Sequence, residues 1–211
     1  MSEVHFNPKK FSVGEAYIIF YKGFRASLHA VLSSARKEIN DEFQERIMLA
    51  VTEVNGCEVC SYFHTRIALE KGMSEEEIQM LVSGNSENIP PDEAIAILFA
   101  QHYADTKGLP TEKTWEKLIE TYGTKKAYQI LSYIQTMMLG NVMGIPLSAF
   151  MNRLKGKPVG DSNLAYELLM MVLPVLFFPV ALIHIVISEI IRTPRIRFSD
   201  KPESVNRGQA E

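Results

Sequence analysis

Cysteine is scarce in this 211-residue chain: there are only two, Cys57 and Cys60, spaced as C-x-x-C. A pair so close cannot staple distant segments, which excludes a secreted disulfide framework. Thiols confined to one such pair fit a reducing compartment, and the expected location is the cytoplasm. Charge of one sign is also lacking. Lys and Arg number 22 against 25 Asp and Glu, a net charge of −3, so nothing electrostatic points to nucleic acid as a partner. The first 150 residues contain no alternating runs joined by hairpin dipeptides, which argues against strands. The opening Met1–Lys10 stretch lacks the apolar region of a signal peptide, and no internal repeat stands out.

What is present reads as helix. Hydrophobic residues make up 46% of the chain, enough for a sizeable core. The patterning predicts helices over 14–34, 41–54, 57–71, 92–107, 112–122 and 125–143, separated by short turns, as in a compact bundle. Asn55-Gly56 and Gly72 are stop signals. Ser74 to Glu77 matches a capping box, and the acidic run Glu75-Glu76-Glu77 then reads as carboxylates favouring a first helical turn. Trp115, Met137 and Met138 read as core or interface, and His29 and His102 as surface or core residues. Tyr62 and Phe63 read most simply as core, with walling of the thiol pocket as the other use.

The composition changes after residue 150. A polar linker is expected over 151–163, a hydrophobic helix over 164–191, and a basic and polar tail over 192–211. Residues 168–187 carry no Asp, Glu, Lys or Arg. About twenty such residues match the roughly 30 Å hydrocarbon core of a bilayer. Two readings stand: membrane association, which is favoured, and an oligomerisation arm. Pro174 and Pro179 suit either, because membrane helices tolerate proline and an arm can be kinked by it. Basic residues flank both ends, so the positive-inside rule selects no orientation.

Cys57, Cys60 and His64 carry the chemistry. On one helix they share a face. The positive end of a helix stabilises a thiolate at either cysteine, and His64 can take or return a proton. One sulfur can attack an oxidant to give a sulfenic acid, and the other can condense with it to a disulfide. Two other readings of the group stay open: a three-ligand zinc site and a buried structural thiol pair. A c-type haem needs histidine at position 61, where this chain has Ser61, and no βαβ pattern supports a thioredoxin fold. Glu45, early on the preceding helix, can approach His64 if the two helices pack antiparallel. Glu53 is a rival acid of lower rank.

The segment Glu45 to His64, with Glu45 twelve residues before Cys57 and the group C-x-x-C-x-x-x-H, resembles the carboxymuconolactone decarboxylase superfamily. More narrowly it resembles the alkyl hydroperoxidase D-like branch. Ala68 to Ile78 follows the same pattern, and the resemblance covers about residues 10–150. It implies an all-α helical bundle, here with a C-terminal hydrophobic helix added, assembled as trimers or hexamers. It implies reduction of organic hydroperoxides through a dithiol–disulfide cycle that needs no cofactor or metal and is recharged by a thiol or dithiol reductant. By position, Cys60 would attack the peroxide, Cys57 would resolve, and Glu45 with His64 would relay protons. Val59 stands where the branch often has a histidine, so the relay would be shorter or use water. A non-catalytic redox-sensing or partner-binding module of the same fold is the alternative.

Overall fold

The computed structural model describes residues 7–32, 38–84, 89–159 and 162–199. The opening residues and most of the expected polar tail, from residue 200 on, lie outside these. Seven helices and no strand occur among the described residues, in the order α1 (Val13–Leu32), α2 (Asp41–Asn55), α3 (Glu58–Glu70), α4 (Glu75–Val82), α5 (Ala94–Asp105), α6 (Glu112–Leu154) and α7 (Leu164–Ile190). The all-α expectation therefore holds.

α6 is the spine. Ala127, Ile130, Leu131, Ile134, Met138, Val142, Ile145 and Ala149 recur at helical spacing and are all buried. α1, α2, α3, α5 and α7 all pack against it, so apolar residues are wanted on more than one face. The break expected at Gly123 is present: with φ 73° and ψ 159° it is non-helical, and two helical segments meet there across a kink in α6. One predicted boundary is corrected, since the helix continues past Met143 to Leu154. Pro146 sits inside it, where proline forfeits one i→i−4 hydrogen bond, yet packing on both sides holds the helix together. The boundary expected at residue 150 thus falls within α6, and the linker begins at Lys155.

The caps follow local chemistry. Asn40 accepts from the Phe43 N–H at the start of α2, and Asn163 accepts from the Tyr166 N–H at the start of α7. Gly56 ends α2 at φ 68° and donates to the Thr52 and Glu53 carbonyls. A side chain there would be strained, and its Cβ would come within 2.5 Å of the Asn7 carbonyl oxygen. The Ser74 Oγ accepts from the Glu77 N–H at 3.2 Å, so half of the expected capping box forms. The other half does not. The Glu77 carboxylate reaches the Arg46 guanidinium instead, which also grips Glu93 through two hydrogen bonds of 2.6 and 3.1 Å. Arg46 and Glu93 are both buried, so this network ties α2 to α4 and to the start of α5. Pro90 to Glu93 form turn rather than helix, and α5 begins only at Ala94.

α6 and α7 are each long and apolar enough to cross a membrane by length and composition, but their surroundings differ: 61% of the apolar window of α6 is buried, against 22% of that of α7. α7 lies lengthwise against α1 and α6. At its start Tyr166 exchanges hydrogen bonds with the Phe11 backbone, and the buried Glu167 accepts two from Arg153. Near its end His184 meets the Tyr17 hydroxyl, Ser188 accepts from Tyr21, and Glu189 pairs with Arg25 and His29. His29 is therefore a latch between α1 and α7, while His102 accepts from the Thr111 N–H in the α5–α6 turn.

Candidate active site

The turn at Gly56 reverses the chain, so that α3 runs back along α2. Cys57 is the N-cap of α3, with extended backbone (φ −87°, ψ 97°), rather than its first helical residue. Cys60 lies in the first turn. The two are joined as a disulfide with their Cα atoms 5.3 Å apart. Cys57 is fully buried, whereas Cys60 borders a cavity of about 420 Å³.

The antiparallel return of α3 brings Glu45 and His64 together. The His64 Nδ1 lies 2.8 Å from Glu45 Oε2. Glu45 is only 3% exposed, so the carboxylate gives up water for the imidazole and fixes its orientation. His64 borders the same cavity as Cys60, one helical turn away. Glu53 does not join this group. Its carboxylate lies beside Gly84, and burial pushes its pKa up, with Lys9 opposing the rise.

The opposite wall comes from α6, and sequence reasoning missed it. Gly140, Met143, Gly144 and Leu147 line the cavity with Met48, Met137 and Phe63. Gly144 packs directly on the disulfide: a Cβ there would stand 2.6 Å from both sulfurs. Cys60 Sγ lies 3.6 Å from the Gly140 carbonyl oxygen, an acceptor for the thiol in the reduced protein. The Ser148 Oγ accepts from the Val59 N–H at 3.1 Å and donates to the Gly144 carbonyl, and Asn152 donates to Glu58. α6 thus satisfies an otherwise unpaired N–H of the first turn of α3. Two glycines four apart in an otherwise bulky helix were the available signal, since residues so spaced share a face.

Tyr62 and Phe63 are corrected: they are 73% and 60% exposed, not core. Phe63 stands edge-on to the His64 ring at the cavity wall. Trp115, Met137 and Met138 are core. No group of three or more His, Cys, Asp or Glu side chains among the described residues is arranged to hold a metal ion.

The sequence profile of the carboxymuconolactone decarboxylase family matches residues 20–85, a span that includes α2, α3 and all four of Glu45, Cys57, Cys60 and His64. The match makes this stretch, under a third of the chain, similar to that family and does not distinguish among its branches. No curated protein matches the chain.

Proposed function

We propose that this protein is a thiol-dependent peroxidase of the alkyl hydroperoxidase D-like kind, reducing organic hydroperoxides through Cys57 and Cys60. One observation carries the reading: Cys60 and His64 open onto one apolar cavity, Glu45 orients His64, and Cys57 is buried behind. An apolar cavity suits the organic part of an alkyl hydroperoxide better than hydrogen peroxide.

In the reduced protein His64 takes the Cys60 proton, and Glu45 stabilises the imidazolium. The Cys60 thiolate attacks the distal oxygen of ROOH. The O–O bond breaks, His64 returns its proton to the departing alkoxide, and ROH leaves Cys60 as a sulfenic acid. The Cys57 sulfur then attacks Cys60 Sγ. The S–S bond forms, and hydroxide leaves with the Cys57 proton as water. The sum is ROOH plus two thiols giving ROH, water and one disulfide. An external dithiol resets the pair by exchange. The partly exposed sulfur is the one an external thiol can reach, which again is Cys60. Assembly as a homotrimer or hexamer belongs to this reading, and the exposed Tyr62 and Phe63 are surfaces such assembly can cover.

The test is turnover of cumene hydroperoxide with dithiothreitol or a dithiol protein as donor. Wild type should turn over, and Cys60→Ser should not. Reversible disulfide formation without turnover, across several peroxides and donors, would replace the peroxidase reading with a redox-sensing module.

A further inference from the structure

α7 is apolar on both sides. A helix on the surface of a soluble protein turns its apolar stripe inward and its polar face to water. Here the inward face packs Met170, Leu173, Ala181 and Ile185, and the polar residues Glu167, His184 and Ser188 also face the protein, each hydrogen-bonded to α1 or to the end of α6. The outward face consists of leucine, valine, isoleucine, phenylalanine and proline from Leu168 to Ile187, without a charge. Val175 is 72% exposed and Ile183 64%. From Glu167 to Glu189 this face runs roughly 33 Å.

We propose that α7 anchors the protein to an anionic lipid bilayer by lying in the interface, its outward face sunk among the upper acyl chains while its inward face stays docked on α1 and α6. Three observations favour this occupant. First, cations stand at both ends of the apolar face, Arg153, Lys155 and Lys157 before it and Arg192, Arg195 and Arg197 after it. A helix lying in the plane places both clusters among headgroups of one leaflet, where anionic lipid attracts them. Second, the docking latches occupy both ends of α7, at Tyr166–Glu167 and Ser188–Glu189. A spanning α7 would have to break them or draw the Glu15–Lys107 and Lys9–Asp105 ion pairs toward hydrocarbon. Third, a cavity of about 760 Å³ at the end of α7 is lined by Arg25, His29, Lys125, Arg192 and Arg195, with Glu189 as the only carboxylate among the described residues that line it. Glu189 serves Arg25 and His29, and Arg195 reaches the other nitrogen of the His29 ring, which leaves Arg192 for a headgroup phosphate. A second copy fits poorly, because parallel or antiparallel pairing of two α7 faces brings cations against cations. This anchoring is independent of the chemistry at Cys60.

The experiment is flotation of the full chain, purified in mild detergent and diluted below its critical concentration. It is mixed with vesicles of phosphatidylcholine alone, or with phosphatidylglycerol added. Wild type should float with the anionic vesicles and leave them in alkaline carbonate. Val175→Glu with Ile183→Glu should cut binding more than about tenfold, with unchanged circular dichroism. Arg192→Ala should cut the anionic preference about fivefold. Resistance to carbonate would overturn the in-plane arrangement in favour of a spanning helix. Absence of flotation, with a lipid-free dimer that the same double variant dissociates, would assign the face to a second copy. Absence of both would leave α7 no membrane role and overturn the proposal.

Discussion

α6 and α7 have similar sequence credentials and opposite surroundings. Both are long and apolar enough to cross a membrane, yet α6 is the buried spine of the bundle and α7 shows most of its apolar window to the outside. Hydropathy measures what a segment must avoid, not what covers it. In α6 apolar residues meet helices on several sides, and the small residue Gly144 admits the cysteines. In α7 an inward face of Met170, Leu173, Ala181 and Ile185 with a few polar groups meets the protein, and nothing described in the structure meets the outward apolar side. One helix is completed by the fold; the other keeps an outward apolar face uncovered among the described residues.

The comparison sharpens first at the site that α6 encloses. His64→Asn, whose amide can still donate to the buried Glu45 carboxylate, should lower peroxidase turnover by about 10²–10⁴-fold and leave the urea midpoint nearly unchanged, since that ring sits at a cavity wall. Steady-state rates and urea curves on one preparation separate the two effects. A large loss of stability with His64→Asn would instead make the imidazole a packing residue.

Gly144→Ala should be the next largest. Its methyl would meet both sulfurs at 2.6 Å, and overpacking of this kind costs about 1–3 kcal/mol. The urea midpoint should fall, and reduction of the disulfide should become easier. An unchanged midpoint would mean that α6 and α3 separate at little cost.

Acid should loosen α7 before α6. The hydrogen bond from Arg153 holds the Glu167 carboxyl below its ordinary value of 4.5, and the His29 hydrogen bond, helped by Arg25, does the same for Glu189. Burial opposes both shifts and is outweighed. In the folded state these groups bind fewer protons than in the unfolded chain between the two values. Their stabilisation is therefore complete above about pH 4.5 and lost as pH falls through the lowered values. Hydrogen exchange over α7, corrected for intrinsic rates, should rise at a higher pH than the change in Trp115 fluorescence, which reports the core around α6. Coincident transitions would show that α7 is no separate layer.

The smallest effect belongs to the outward face. Val186→Ser should change stability in solution by no more than about 0.5 kcal/mol, because that side chain is exposed and α7 is held by its other face. A loss several times larger in lipid-free protein would reveal a protein partner covering α7.

Much of the site was legible because its parts are local. Glu45, Cys57, Cys60 and His64 lie within twenty residues, and one left-handed glycine turn folds that stretch on itself, so spacing nearly dictates the contact between Glu45 and His64. The wall from α6 was not legible in the same way. Gly144 and Ser148 meet Cys60 and Val59 across more than eighty residues, and no periodicity encodes which helix face will pass over a given turn. The Glu77 reading failed for a related reason: a first-turn carboxylate satisfies a local rule, and a distant buried guanidinium outbids it. For α7, composition foretold an apolar helix of the right length. That its few polar groups turn inward emerged only once the partners of Glu167, His184 and Ser188 were known.

The most direct measurement counts thiols. The protein is reduced, freed of reductant, and titrated before and after one equivalent of cumene hydroperoxide, beside Cys57→Ser treated alike. The account predicts that wild type loses two thiols to one intramolecular disulfide and yields one cumyl alcohol. It predicts that Cys57→Ser accumulates a sulfenic acid on Cys60. Two thiols that survive the peroxide, or oxidation at Cys57 with Cys60 untouched, would contradict it.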